Sequence, residues 1–154
     1  MQIERIKPFT LLLLLVKEKR MIDKIIIICY NQVKLMKGVV LMCSKNELQI
    51  ILSEIAAAAK ETFGEKLDSV ILYGSYARGD YTPESDVDIM ILVRGIAPEE
   101  LWKYKDPIIR KESELGLEYD LLISATIKDV ETFNKYLEVL PFYQNVLREG
   151  IKVA

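Results

Sequence analysis

Two aspartates spaced one residue apart, Asp86 and Asp88, open an apolar run, Ile89-Met90-Ile91-Leu92-Val93. Such a run reads as a buried strand over residues 87–93. Strand side chains alternate, so Asp86 and Asp88 point to one face while Val87 and Ile89 point into the opposite packing layer. Aspartate is a poor strand former, and two carboxylates side by side repel unless a cation sits between them. The chemistry suggested is a divalent metal site whose oxygen ligands suit Mg²⁺ or Mn²⁺. An isolated Asp-x-Asp also has a plainer explanation, a turn at Ser85-Asp86 followed by a solvated aspartate on an edge strand.

Three further features bear on that choice. Gly74-Ser75 directly follows SVILY, residues 69–73, a stretch rich in β-branched and aromatic residues that reads as a strand. A glycine there lets backbone approach a phosphate, and the following N–H groups with the Ser75 hydroxyl could hold phosphate oxygens at a helix start. The alternative is an ordinary strand-to-helix turn with a serine cap. Arg78 falls one turn into that helix, where a planar five-donor cation could reach a triphosphate; by itself it reads as a solvated surface arginine. Asp120 interrupts LEYDLLI, residues 117–123, which reads as a third strand. A carboxylate amid such a strand needs a partner, whether a cation, a salt bridge or solvent at an edge.

The elements that would position these groups follow from local signals. Ser44 and Glu47 have capping-box spacing, and Leu48, Ile51, Leu52, Ile55 and Ala59 recur at helical spacing, with Gly64 as the stop. Pro98, with Glu99 and Glu100 behind it, starts a helical stretch towards Ser113 that Pro107 kinks or divides. Two short helices are expected over 128–137 and 141–148, Gly150 ending the second, and residues 151–154 suit a last short strand. Residues 42–154 thus read as one small α/β domain.

Composition narrows the chemistry. The 154 residues include no histidine, which excludes Ser-His-Asp and Cys-His catalysis and every His-liganded metal site. Two cysteines, Cys29 and Cys43, fit neither a disulfide framework nor a zinc spacing and point to a reduced, cytoplasmic setting. Residues 1–41 carry eight Lys/Arg against three Asp/Glu, and residues 42–154 thirteen against twenty. So acidic a body argues against stable nucleic-acid binding, yet not against a nucleotide that arrives with its own magnesium.

The first forty-one residues look foreign to the rest. Their apolar runs, 10–16 and 25–30, are far shorter than the roughly 20 residues that span a bilayer, so no membrane association is expected. KEKR follows the first run where a small-residue signal cleavage site would stand. Met42 and Met36 are both plausible starts, and Lys37-Gly38-Val39 can be encoded by a purine-rich ribosome-binding core before Met42. The expectation is that 1–41 is leader included by a mis-called start, the alternative being a functional extension of one or two added strands or a membrane-surface hairpin.

The segment Gly74-Ser75-Tyr76-Ala77-Arg78-Gly79, then Ser85-Asp86-Val87-Asp88, resembles the signature of the minimal nucleotidyltransferases of the DNA polymerase β superfamily. The match runs from Gly-Ser through ten intervening residues to Asp-x-Asp without a gap and extends over about 42–154. The resemblance implies a nucleotidyltransferase fold, α/β (α+β), with a small mixed sheet and helices packed mainly on one face. It further implies that Asp86 and Asp88 bind metal and that Asp120 is the third carboxylate. In that mechanism two Mg²⁺ ions, or Mn²⁺, support in-line displacement at the α-phosphorus of ATP, Asp120 also serves as general base, and Gly74, Ser75 and Arg78 hold the β- and γ-phosphates.

A chain this small shows no second domain for an acceptor. It is similar in size to the MntA-type antitoxins of paired toxin–antitoxin genes, which move AMP from ATP to a tyrosine of a HEPN-domain toxin. That similarity implies a HEPN-domain partner and homo- or hetero-oligomers. The alternatives are a small-molecule, aminoglycoside-type nucleotidyltransferase, whose extra helical domain is missing here, and an antitoxin that acts by binding alone.

Overall fold

A computed structural model of the chain describes residues 43–154; the expectations for residues 1–41 lie outside this range. The first helix, α1 (Lys45–Phe63), begins as its sequence dictates. Ser44 accepts from the Glu47 N–H while the Glu47 carboxylate accepts from the Ser44 N–H, and Gly64 closes the helix. This reciprocal cap satisfies two backbone donors that the first turn leaves unpaired. A single 3-10 turn, Gly64–Lys66, leads into strand β1 (Leu67–Tyr73).

A five-residue helix, α2 (Gly74–Arg78), follows at once, and a loop returns the chain as β2 (Val87–Val93). A 3-10 segment, Pro98–Tyr104, precedes α3 (Lys105–Tyr119). The expected division of this stretch therefore falls at Tyr104, and Pro107 is accommodated in the first turn of α3, where its missing N–H costs nothing. Strand β3 (Ile123–Asp129), helices α4 (Val130–Leu137) and α5 (Pro141–Glu149), and a two-residue β4 (Ile151–Lys152) complete the fold.

The sheet order is β3-β2-β1-β4. β1 pairs antiparallel with β2 and with β4, whereas β2 and β3 run parallel. The mixed sheet and α/β class agree with the expectation. Its main core lies on one face, where Val87, Ile89, Ile91 and Val93 of β2 meet Ile51 and Ile55 of α1 and Ile108 and Leu115 of α3. Each of these side chains contributes about 1.5–3 kcal/mol by leaving water. A smaller cluster on the other face joins Met90 and Leu92 of β2 to Phe133 of α4 and Tyr143 and Val146 of α5.

One element departs from expectation. Residues 117–123 do not form a strand: α3 continues to Tyr119 and β3 starts at Ile123. Asp120 caps the helix in the left-handed conformation, φ 56° and ψ 43°, and its N–H and that of Leu121 both bond to the Gly116 carbonyl. Aspartate is among the few non-glycine residues that tolerate this conformation. A Cβ on Gly116 would stand 2.9 Å from the Leu121 carbonyl oxygen, so that glycine makes room for the reversal. No helix among the described residues is long and apolar enough to cross a membrane.

Candidate active site

Sheet topology brings the candidate segments to one end. β1 finishes where β2 begins, because the two are antiparallel, and β3 begins there too because it runs parallel to β2. At this end Asp86 immediately precedes β2 and Asp88 is its second residue, both half-buried. Asp88 shares its face with Met90 and Leu92, which are covered by α4 and α5. The covering stops short of Asp88, so the same face changes from core to open carboxylate within one residue pair.

The electrostatics match that position. Partial burial pushes the Asp88 carboxyl above the usual range, the neighbouring Asp86 charge pushes it the same way, and Arg78 opposes both. The Asp86 contribution, smaller than that of burial, is the repulsion that the Asp-x-Asp spacing implies.

Gly74 explains the Gly-Ser turn in physical terms. It adopts φ 74°, and a Cβ there would lie 2.5 Å from Asp88 Oδ2. The carboxylate is thus seated against bare backbone, which only glycine supplies. Ser75 follows in α2, half-buried, and its carbonyl accepts from the Gly79 and Asp80 N–H groups at 2.9 and 3.2 Å. The loop after α2 is held by its own polar groups, the Thr82 N–H donating to Ser85 Oγ at 2.9 Å and the Ser85 N–H to the Thr82 carbonyl at 3.0 Å. Behind it Tyr81 stacks on Tyr76 with centroids 4.2 Å apart, and burial helps to push the Tyr76 phenol up to about 12.

Arg78 is already engaged. Its Nε donates to Asp80 Oδ2 at 3.1 Å and its Nη1 to Glu149 Oε2 at 3.4 Å, tying α2 to the end of α5. Both acids are side chains that local sequence patterns did not single out; Glu149 lies 71 residues away.

Asp120 is not where the strand expectation put it. It is exposed, in the turn before β3, and it does not lie within a strand facing the aspartate pair. Among the described residues no three His, Cys, Asp or Glu side chains gather in a metal-holding group. The positions level with Asp88 are instead Tyr73 on β1 and Ser124 on β3. The Tyr73 phenol is raised mainly by burial, and its ring meets Phe142 edge-on at 5.6 Å. Neither neighbour was legible beforehand, because strand register is a long-range property.

Two hard oxygen donors on one face, crowded against backbone that a Cβ would fill, fit a divalent cation such as Mg²⁺. The mostly apolar groove lined by Leu48, Leu52, Leu72, Tyr76, Arg78 and Val153 contains neither aspartate, although Arg78 borders it.

Comparison with known proteins gives concordant results. The model of the nucleotidyltransferase domain family matches residues 52–153. Two chains of Methanocaldococcus jannaschii, both provisionally named protein adenylyltransferases, are similar to this one. The first is 46% identical over 81 residues, 53% of this chain and 79% of its own length. The second is 37% identical over 99 residues, 64% of this chain and 90% of its own. A solved structure provisionally assigned as a nucleotidyltransferase, from Sulfolobus solfataricus, overlays with a TM-score of 0.46 at 19% identity. The overlay covers 69% of this chain and 80% of that one, too loose a fit to add to the sequence matches.

Proposed function

The chain belongs to the nucleotidyltransferase domain family, and from that premise we propose that it moves AMP from ATP to a tyrosine hydroxyl of a HEPN-domain toxin, acting as antitoxin. The observation that carries the reading is the aspartate pair at the open end of β2 with the Gly74 backbone pressed against Asp88. The M. jannaschii relatives, by name protein adenylyltransferases, support a protein as acceptor. The toxin as acceptor rests on the resemblance to the minimal nucleotidyltransferases.

In the proposed reaction the acceptor oxygen bonds to the α-phosphorus, the bond to the bridging oxygen breaks so that pyrophosphate departs, and the hydroxyl proton passes to solvent water. Asp86 and Asp88 would hold Mg²⁺, which when bound neutralises charge on the triphosphate and the departing pyrophosphate. Gly74 offers backbone that a phosphate can approach closely, and Ser75 a hydroxyl beside it. Arg78 would meet the outer phosphates by exchanging one of its two carboxylate partners for them, keeping a charge-assisted hydrogen bond either way.

The test is transfer of label from α-labelled ATP with Mg²⁺, with and without the product of the neighbouring gene. Label on that protein, lost in Asp86→Ala/Asp88→Ala, is the expected result. A stable complex without transfer would overturn the enzymatic reading in favour of inhibition by binding. Transfer only to small hydroxyl compounds would move the acceptor class to small molecules.

A further inference from the structure

The parallel pairing of β2 with β3 puts Ser124 level with Asp88. Residues in register on neighbouring strands point to the same face, on strands about 4.7–4.9 Å apart. A carboxylate at position 124 would therefore stand beside the aspartate pair and complete a three-acid site; serine stands there instead, with its side chain exposed.

Among the described residues no other acid replaces it. The one carboxylate on β3, Asp129, is level with Val93 at the far end of the strand, where it is buried and accepts from the Thr132 N–H at 2.7 Å as the cap of α4. Glu112 approaches β3 from α3 but accepts from the Ala125 N–H. Asp120 lies in the turn, exposed, and joins no three-carboxylate group. On the other flank of Asp88 is Tyr73, which is uncharged at neutral pH.

We infer that this chain's own side chains hold a single divalent cation, through Asp86 and Asp88, and that Ser124 is the position that limits the number to one. The inference rests on the metal reading proposed above. Two carboxylates balance one divalent charge; a second cation 3.5–4 Å away, the usual spacing in two-metal sites, would add repulsion without an added anion. Any second cation must then take its ligands from the nucleotide and the acceptor, so the protein alone does not retain it.

The experiment counts ions rather than turnover. Mn²⁺ is titrated into the full chain without nucleotide, and free Mn²⁺ is read by electron paramagnetic resonance. One ion per chain is expected, weakened at least about tenfold in Asp88→Asn, since even changes behind a ligand cost about 10–100-fold. Asp120→Asn and Ser124→Asn are expected to keep the wild-type count and affinity. Ser124→Asp is expected to bind a second ion or to hold the first at least about tenfold more tightly.

Two ions on the wild type, or weakened binding in Asp120→Asn, would overturn the inference and leave the metal reading standing. So would Ser124→Asp indistinguishable from wild type, with circular dichroism unchanged. Binding on the wild type that is unaffected by Asp88→Asn would instead overturn the metal reading itself.

Discussion

The two faces of β2 behave oppositely along the same seven residues. On one, Val87, Ile89, Ile91 and Val93 are all fully buried between the sheet and helices α1 and α3. On the other, Leu92 and Met90 are buried under α4 and α5, and then Asp88 emerges half-covered, with Asp86 beyond it. One face is core from end to end; the other is core that stops. A pair of carboxylates is thereby held at the open end of a paired strand, Asp88 within it and Asp86 one residue before it, where the hydrophobic layer only half covers them. Loops position side chains less firmly than paired strands do.

The contrast can be broken at either face. Asp86→Ala/Asp88→Ala should reduce nucleotide transfer by more than about a thousandfold, within the range set by whole groups that act on the reacting phosphate. It should leave the melting temperature unchanged or higher, since it removes a partly desolvated, mutually repelling pair. Assay of label transfer beside a thermal melt separates the two effects. Ile89→Ala, one residue along, should do the reverse, losing about 2–5 kcal/mol of stability by denaturant titration. Any protein still folded should keep its affinity for Mn²⁺.

Gly74→Ala tests where the faces meet. Its Cβ would be driven to 2.5 Å from Asp88 Oδ2 at a φ of 74°. Strain of about 1–3 kcal/mol and a transfer rate down by about tenfold or more are expected. Retained activity would mean that α2 can shift without disturbing the aspartates.

The smallest effect concerns Glu112 on the core side. Burial raises its carboxyl, outweighing the lowering by the Ala125 N–H. The folded state therefore holds its proton to higher pH than the unfolded chain. Stability from this group is complete below the ordinary glutamate range and is lost as pH rises through the raised value. Glu112→Gln keeps an acceptor for the Ala125 N–H but cannot ionise. Thermal melts should show it no different from wild type near pH 4 and at most a few degrees more stable near pH 7.

Much of this arrangement was legible in the residues themselves. The Ser44–Glu47 cap, the Gly64 stop, the buried strand at 87–93 and the turn at Gly74 are each specified within a few positions. The run LEYDLLI was misread because apolar content alone does not distinguish a strand from a helix that ends and turns. Leu115 is buried against the core and holds α3 in register to Tyr119, and Gly116 admits the Leu121 carbonyl. The packing of Leu115 joins distant parts of the chain, so no local pattern announces it.

The sequence by itself determined the carboxylate pair and the glycine before it, because alternation along a strand and the freedom of φ at glycine are local physics. Only the tertiary structure decided what stands beside Asp88: Tyr73 by antiparallel pairing and Ser124 by parallel pairing. Likewise only folding brought Glu149 to Arg78. Register and ion pairing across 71 residues follow from how whole elements pack, and packing is settled by the core as a unit.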